Sequence, residues 1–370
     1  MKFSLSRERF LSELGVAVRG VSARSAIQTL SGVMVIARDG AIELQSTDME
    51  LGIRVRVEAP TEREGSALLP GRLLLDVVRS LPGDDLTLEA RGSEGDVELA
   101  SGTANFHLRT LPPDDFPALP EAEGTAVRVS APAFSDTVAK VARAASRDET
   151  RPHLTGVLVS ASGSELRMVA TDSYRLSVKE TTLEEALEGS IEANVPARAL
   201  QELTRIAGAA NAEEVAVSTL QNQVVFEVGE TTLSSRLVEG RFPNYQQLLP
   251  ESYEHELRVD GGELLAVVRR VSLLAQRNAP LRLRFSEGEL EVSARTPDVG
   301  EARETMPVAF GAGEPLEIGF NPEFLRDGLE SAASDDLVLK LISPLRPGLI
   351  QAGADGDGFL YLVMPIRLNV

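Results

Sequence analysis

The sequence predicts an α+β protein made of three similar domains, each with two helices packed on a mostly antiparallel sheet. Three observations lead to this prediction. The chain has 370 residues, which is too long for one ordinary core. Short segments recur along it at spacings of 124 and 125 residues. Within each third, strand-like and helix-like runs follow one another in the same order. We place the domains at residues 1–124, 125–253 and 254–370.

Three sets of segments carry the repeat. A Thr-Asp pair at residues 47–48 returns at 171–172 and, more weakly, as Thr-Pro-Asp at 296–298. A second set reads "PGRLLLDVVRSL", "PARALQELTRIA" and "NPEFLRDGLESA", with a proline in or beside the first helical turn, where its missing N–H costs little. The third set reads "RERFLSELGVAV", "APAFSDTVAKVA" and "GGELLAVVRRVS". Three related domains follow from these matches.

Each repeat opens with a short alternating strand, predicted at residues 2–6, 126–130 and 255–259. A helix, a hairpin, a second helix and further strands follow. In the first repeat Asp39 and Gly40 provide the hairpin turn. The predicted helices are 7–22, 70–81, 131–147, 196–208, 261–277 and 321–334.

The stretch "VATDSYRLSV" at 169–178 has the residue types of an active site, but it repeats. Met49 and Glu50 stand in the first copy where Ser173 and Tyr174 stand in the second. A catalytic site would not recur with its reactive groups replaced. We therefore interpret the shared Thr-Asp as a turn in which the carboxylate accepts hydrogen bonds from its own backbone.

Several function classes are disfavoured by composition. The chain has no cysteine, and its first residues lack the apolar core of a secretory signal. No run has the length of a membrane span, so we expect a cytoplasmic protein. The three histidines lie in different repeats without metal-ligand spacing, and no phosphate-binding loop is present. We expect no catalytic residue, metal or cofactor.

The distribution of charge points to a polyanionic partner. The net charge is −19, yet the six predicted helices carry 14 basic and nine acidic residues. On two of them the basic side chains lie opposite the apolar stripe, as Lys140, Arg143 and Arg147 do relative to Phe134 and Val138. Such helix faces would attract phosphates without reading base sequence. The last helix is an exception, with one basic and three acidic residues.

The whole chain resembles the bacterial beta sliding clamps, the processivity subunits of DNA polymerase III. The motifs that carry the resemblance are "LPGRLLLDVVRSLP", "TLPPDDFPALP", "VATDSYRLSV", "LVEGRFPNYQQLLP", "IGFNPEFL" and "YLVMPIRL", in this order. The resemblance implies a head-to-tail homodimer that forms a ring of six DNA-clamp domains around duplex DNA. The DNA-facing residues would be Arg24, Arg72, Arg79, Lys140, Arg143, Arg147, Arg198 and Arg205. The subunit joint would use Phe106 and Leu108 on one edge and Leu273 and Leu274 on the other.

The resemblance also implies a pocket between the second and third domains that accepts short extended peptides. Its partners would be the DNA polymerase III alpha subunit, the clamp loader complex, and other polymerases and repair proteins with clamp-binding motifs. The carried-over pocket residues are Leu154, Thr171, Ser173, Tyr174, Arg175, Leu176, Pro243, Gln247, Leu248, Asn321, Phe324, Leu362, Met364, Pro365, Ile366 and Arg367. The chain departs from the family at Tyr174, where His is common, and at Gln247, where Arg is common. Pro152 and His153 replace an aromatic pair that contacts DNA in the family.

Two other function classes compete with this interpretation. An enzyme would need a constellation of reactive groups, which the sequence does not provide. A peptide-binding scaffold that never encircles DNA would keep the pocket but would not need basic helix faces. The charge pattern favours the clamp over the scaffold.

Overall fold

The computed structural model describes residues 1–22, 25–91, 95–275, 279–353 and 356–368. The chain folds as two compact units. Unit 1 comprises Met1–Pro132 and Arg198–Leu237, and unit 2 comprises Ala133–Ala197 and Val238–Val370. The second predicted domain therefore contributes to both units. Among the described residues, no helix has the length and apolar character needed to cross a membrane.

All six predicted helices form. They are α1 (Arg7–Ala17), α2 (Gly71–Ser80), α3 (Ala131–Val141), α4 (Ala197–Ala209), α5 (Gly261–Val271) and α6 (Pro322–Ala332). The predicted bounds were too long at the C-termini of α1, α3 and α5. Each of these helices passes into one turn of 3₁₀-helix, at 18–20, 142–144 and 272–274. Tighter hydrogen bonds there satisfy carbonyls that the α-helix leaves without partners.

The strands of the first repeat are β1 (Lys2–Ser6), β2 (Gly32–Arg38), β3 (Ala41–Thr47), β4 (Leu51–Glu58), β5 (Thr61–Arg63), β6 (Gly65–Pro70), β7 (Asp85–Arg91), β8 (Asp96–Ser101) and β9 (Ala104–Arg109). Those of the second are β10 (Val127–Ser130), β11 (Gly156–Ser162), β12 (Glu165–Thr171), β13 (Arg175–Thr182), β14 (Ser190–Pro196), β15 (Glu214–Thr219), β16 (Gln223–Val228) and β17 (Thr231–Arg236). Those of the third are β18 (His255–Asp260), β19 (Leu281–Ser286), β20 (Glu289–Thr296), β21 (Gly300–Pro307), β22 (Leu316–Phe320), β23 (Asp336–Leu341), β24 (Gly348–Ala352) and β25 (Phe359–Val363).

Unit 1 holds two antiparallel sheets. One has the order β5-β1-β7-β8-β9, and the other has the order β10-β15-β16-β17-β4-β3-β2-β6. In the second sheet β17 pairs with β4, so strands from the first and second repeats form one continuous ladder. The predicted hairpin joins β2 to β3, with positive φ at both Asp39 (53°) and Gly40 (71°), as a tight two-residue hairpin turn requires.

Unit 2 is built in the same way. Its sheets have the orders β14-β11-β12-β13-β25-β24-β23-β18 and β21-β20-β19-β22. Here β13 pairs with β25, which joins the second repeat to the third. The two joints share a register, because Leu51 opposes Ser235 in one and the repeat-equivalent Arg175 opposes Val363 in the other.

The core lies where the helices cover the sheets. The apolar stripe predicted for α3 is buried, with Phe134 and Val141 at 0% exposure and Val138 at 1%. In α2, Leu74 and Val78 are fully buried as well. Each such side chain contributes roughly 1.5–3 kcal/mol by leaving water. The polar face of α2 is left on the other side, where Arg72 and Arg79 are exposed.

Candidate functional site

The Thr-Asp segment of the second repeat is a closed turn between β12 and β13. The Thr171 hydroxyl donates to the Arg175 carbonyl oxygen at 2.7 Å, and Asp172 Oδ1 accepts from the backbone N–H groups of Tyr174 (2.9 Å) and Arg175 (3.0 Å). Ser173 takes the left-handed conformation at φ 79°. These bonds fix the backbone, and they hold the Ser173 and Tyr174 side chains on the exposed side of the turn.

The first repeat contains the same turn with different side chains. Thr47 Oγ1 donates to the Leu51 carbonyl at 2.9 Å, Asp48 Oδ1 accepts from the Leu51 N–H at 2.8 Å, and Met49 has φ 80°. The turn interpretation of Asp48 and Asp172 is therefore confirmed. The segment is structural, and only its exposed side chains differ between the repeats.

Arg175 anchors the second turn to α6. Its side chain is 5% exposed and donates to Asp172 Oδ2 at 3.1 Å and to Asp327 Oδ2 at 2.6 Å. Its guanidinium carbon lies 4.4 Å from the centroid of the Phe324 ring. A buried cation with two carboxylate partners and an aromatic face holds the turn firmly against the helix.

Tyr361 on β25 extends this buried network. Its ring is fully buried, and its hydroxyl donates to the Phe324 carbonyl at 2.8 Å. Burial raises the pKa of the Tyr361 hydroxyl above its usual range and outweighs the opposing effect of Arg175, while the carboxylates of Asp327 and Asp172 raise the pKa further. Burial lowers the pKa of Arg175, but the hydrogen bond to Asp327 and the other acidic partners outweigh it, and the net pKa is raised. Both groups keep their protons at neutral pH.

The exposed end of the turn meets the segment after β25. The Met364 N–H donates to the Tyr174 carbonyl at 2.8 Å, so these two residues stand side by side. Their side chains are 42% and 58% exposed. The Tyr174 ring stacks on Phe324 with centroids 6.4 Å apart. Two large apolar side chains therefore face solvent beside a rigid buried network.

The floor beneath them is apolar. Leu176 and Leu362 are directly paired across β13 and β25 and are 1% and 3% exposed. They belong to a buried cluster with Val169, Val178 and Leu349. Apolar side chains with a few polar groups beside them are the usual lining of a small binding site. We call the surface formed by Tyr174, Met364, Leu176, Leu362 and Phe324 the Tyr174–Met364 pocket.

Residues 364–368 continue from the pocket onto β22. The Ile366 N–H donates to the Gly319 carbonyl at 2.7 Å. A Cβ on Gly319 would lie 2.6 Å from Leu368 Cδ2, so only glycine allows this close crossing. Asn321 directly precedes α6, and its side-chain oxygen accepts from the N–H groups of Glu323 and Phe324. Asn321 thus has a capping role in this structure.

Other residues predicted for the pocket differ in how far they are exposed. Leu248 is 49% exposed. It belongs to the segment 242–253, and other apolar side chains of this segment pack on the buried cluster that contains Leu176 and Leu362. Pro243 is half-buried, and Gln247 is exposed without a side-chain hydrogen bond to any described residue. Leu154 is buried at the end of a 3₁₀ turn. The neighbouring Arg151 donates to Ser173 Oγ at 3.2 Å and ties that turn to the pocket edge.

Sequence reasoning missed four residues of this site. They are Asp327, Tyr361, Arg151 and Phe242. The signals were present but ambiguous, since Tyr361 lies within the "YLVMPIRL" motif and Asp327 was counted as one more charge on α6.

The basic helix residues of unit 1 are exposed, and most have acidic neighbours. Arg198 pairs with Asp48, Arg205 pairs with Glu202, and Arg79 lies 3.4 Å from Asp76. The exposed Arg72 makes no ion pair with any described residue. Arg24 lies outside the described residues. Surface pairs of this kind are weak, so these arginines remain able to exchange a carboxylate for a phosphate.

In unit 2 the acidic α6 has a clear role. Glu330 pairs with Arg143 of the 3₁₀ turn after α3 and with Arg269 of α5. The hydrogen bond from Arg269, followed by that from Arg143, lowers the pKa of the Glu330 carboxyl. The acidic charge on α6 therefore neutralises basic residues of the neighbouring helices, which explains the exception in the charge pattern.

Lys140 and Arg147 differ from the expected pattern. The Lys140 side chain is only 12% exposed, with its Nζ 3.9 Å from Asp357 and 5.8 Å from the Phe359 ring centroid. Its ammonium group therefore faces an aromatic ring and a carboxylate of its own unit. Arg147 is exposed but lies beyond α3, in the loop after the 3₁₀ turn.

The residues predicted for the subunit joint are divided between the two units. Phe106 (37% exposed) and Leu108 (6%) are on β9, an edge strand of unit 1. Leu273 is 81% exposed in the 3₁₀ turn that follows α5, and Leu274 is half-buried beside it.

Comparisons with known proteins agree on one family over the whole chain. Residues 1–120, 128–244 and 246–367 match the N-terminal, central and C-terminal domains of the DNA polymerase III beta subunit. The chain is 31% identical to the beta sliding clamp of Staphylococcus aureus and 30% identical to that of Staphylococcus epidermidis, with 99% of each chain covered.

Solved structures give the same result. The sliding clamp of Bacillus subtilis superposes with a TM-score of 0.92 at 28% identity, and that of Pseudomonas aeruginosa with 0.90 at 29%. Both matches cover 100% of each chain. With three clamp domains of mixed helix and sheet, the chain belongs to the DNA polymerase III beta-subunit family, the bacterial beta sliding clamps, and is a DNA polymerase processivity factor.

Proposed function

We propose that this clamp encircles duplex DNA as a head-to-tail homodimer and tethers its partners through the Tyr174–Met364 pocket. The partners would be the DNA polymerase III alpha subunit, the clamp loader complex, and other polymerases and repair proteins that carry a clamp-binding peptide. The observation that carries the proposal is the pair of exposed apolar side chains, Tyr174 and Met364, above a buried leucine floor. The role would be binding, with no chemical step.

The pocket suits an apolar peptide for a physical reason. Its floor is held by a sheet ladder and its rim by the buried Arg175 network. Because both are already rigid, little conformational freedom is lost on binding. Met364 can change rotamer to fit different side chains, because its thioether chain is unbranched. Several partners could therefore share one site.

A titration tests the pocket. We would measure fluorescence anisotropy with the C-terminal clamp-binding peptide of the same organism's DNA polymerase III alpha subunit, expecting a micromolar Kd, about −8 kcal/mol. Met364→Ala should weaken binding several-fold. The matched control is Met49→Ala, because Met49 is a 46% exposed methionine in the equivalent turn of the first repeat, at the position of Ser173. Equal affinities for Met364→Ala and wild type would refute this placement of the pocket.

The internal repeat supports the dimer. In the sheet order, β9 stands where β17 and β25 stand in their repeats, and β21 stands where β4 and β13 stand. No described strand pairs with the outer edge of β9 or of β21. If the shared register of the two internal joints is kept, Leu108 opposes the partner subunit's Gly300, and Phe106 opposes the partner subunit's Ala302. Such a heterologous contact can close into a ring.

A mutation in β9 tests this joint. Phe106→Glu would place a charge in the new ladder and should shift the protein to monomer in analytical ultracentrifugation. Phe116→Glu, in the loop after β9, is the control for added charge outside the ladder. A Phe106→Glu protein that stays dimeric would contradict the proposed joint.

Weak phosphate contacts suit a clamp that must slide. The arginines on the helix faces are mostly paired with carboxylates, which limits how tightly they hold any one phosphate. Neutralising Arg24, Arg72 and Arg198 should slow loading and flatten its salt dependence. An unchanged salt slope would contradict this role.

Encirclement has its own test. With a competent loader and ATP, the clamp should remain on a nicked circular DNA and leave once the circle is cut. Equal loss from both DNAs would refute encirclement and favour a peptide-binding scaffold.

A further inference from the structure

The outward face of the four-stranded sheet in unit 2 is a basic groove in an acidic protein. The groove has a volume of about 670 Å³ and includes five arginines and three glutamates among its lining residues. The arginines are Arg282, Arg284, Arg295, Arg303 and Arg367. The whole chain, by contrast, has 56 acidic and 37 basic residues. We call this surface the β19–β22 face.

The alternation of β19 and β20 creates the groove. Leu281, Leu283 and Phe285 are buried, so the intervening Arg282 and Arg284 point outward. On β20 the same alternation exposes Arg295. Because the core fixes this register, the arginines are displayed in a defined pattern on a rigid sheet.

Part of this positive charge has no acidic partner. Arg282 pairs with Glu317 at 2.9 Å, and Arg303 lies 3.5 Å from Glu291. Arg284, Arg295 and Arg367 are exposed and make no hydrogen bond or ion pair with any described residue. These guanidinium groups can bind a carboxylate without breaking an existing pair.

One chain segment, residues 364–368, connects the groove to the Tyr174–Met364 pocket. Met364 belongs to the pocket, and Ile366, Arg367 and Leu368 line the groove. Ile366 is bonded to Gly319, whose ladder partner is Arg282. A chain that leaves the pocket along this segment passes directly over the arginines.

We propose that the β19–β22 face binds an acidic stretch of the same partner chain whose apolar motif occupies the Tyr174–Met364 pocket. This inference rests on the proposed function of that pocket. Charge complementarity supports the choice of an acidic occupant, because most of the protein surface repels carboxylates and this groove attracts them. The groove would thus rank partners by the residues that flank their motif.

The test uses five labelled peptides built on one core, the alpha-subunit clamp-binding peptide named above. One has no extension, two carry Glu-Glu-Glu-Glu and two carry Ser-Gly-Ser-Gly, with each extension placed at the N-terminus in one peptide and at the C-terminus in the other. Kd is measured by anisotropy at 50 mM NaCl. Exposed ion pairs are individually weak, so two or three new pairs should together tighten binding about three- to tenfold at one end, which is about 0.7–1.4 kcal/mol. The gain should fall away in 0.5 M NaCl, where charges are screened within a few ångströms.

The variants locate the effect. Arg284→Gln/Arg295→Gln should abolish the gain from the acidic extension and leave the Kd of the unextended peptide unchanged. The control Arg38→Gln/Arg128→Gln removes the same charge from exposed strand arginines of unit 1 and should keep the gain. Both pairs of sites are exposed, so neither double variant disturbs the core.

Each outcome is decisive. No gain at either end, with the unextended peptide bound, would overturn the groove and leave the pocket standing. A gain that survives Arg284→Gln/Arg295→Gln would also overturn the groove. Failure of the unextended peptide to bind the folded wild-type protein would overturn the pocket, and the groove with it.

Discussion

Gly328 in α6 offers the sharpest test of the network behind the pocket. It lies in the middle of the helix, where alanine is ordinarily more stable than glycine by about 1 kcal/mol. Here a Cβ would lie 2.5 Å from two ring carbons of Tyr361 and 3.1 Å from Ile350 Cδ1. The Tyr361 ring has no room to move away, because it is fully buried and its hydroxyl is bonded to the Phe324 carbonyl.

We therefore predict that Gly328→Ala destabilises the protein. Overpacking a core costs about 1–3 kcal/mol, which exceeds the gain in helix propensity, so a net loss of about 1 kcal/mol is expected. For a unit of about 200 residues this corresponds to a Tm lower by roughly 2–4 °C. Displacement of Phe324 should also weaken binding of the alpha-subunit peptide.

The assay is thermal unfolding followed by circular dichroism at 222 nm. The matched control is Gly15→Ala in α1, where an added Cβ has no heavy atom within 4 Å. Gly15→Ala should raise the Tm by a similar amount. If Gly328→Ala also raises the Tm, the close contact between α6 and Tyr361 is not a constraint, and the argument for a rigid pocket wall fails.

Three further predictions concern the same unit. Asp327→Asn leaves the buried Arg175 with one carboxylate and weakens one charged hydrogen bond, which should cost about 1–3 kcal/mol in a denaturant titration and weaken peptide binding. Unchanged stability would mean that Asp172 alone suffices. Gly319→Ala should weaken peptide binding by displacing residues 366–368. Gly311→Ala is the control, because an added Cβ there has no heavy atom within 4 Å. Equal affinities for the two variants would contradict the close contact between Gly319 and Leu368. Glu330→Gln should lower stability by about 0.5–1 kcal/mol near neutral pH. Because the folded pKa of Glu330 is lowered, its contribution is present above the ordinary carboxyl pKa of about 4.3 and is lost as the pH falls through the folded pKa. The two proteins should therefore have equal stability at about pH 2, and a gap that persists there would exclude an ionic origin.

The sequence by itself determined the repeat and most of the elements. Helical and alternating periodicities arise from local geometry, so they appear in the sequence wherever one face is buried. The Asp39-Gly40 hairpin and the Thr-Asp turns were predictable for the same reason, since the bonds that close them join residues a few positions apart. Helix ends were less predictable, because the last turn of a helix can be α-helical or 3₁₀-helical with much the same sequence.

Only the tertiary structure decided how the repeats are joined and what surrounds Arg175. Nothing local in the sequence indicates that β13 pairs with β25. Arg175 and Asp327 are 152 positions apart in the chain, and Tyr361 is far from both in sequence although it lies beside them in the fold. The low exposure of Lys140 was equally unpredictable from its own helix, because it depends on Phe359, which is far away in the sequence. Periodicity records which face of an element is buried, whereas the identity of the residue that covers it depends on contacts between distant parts of the chain.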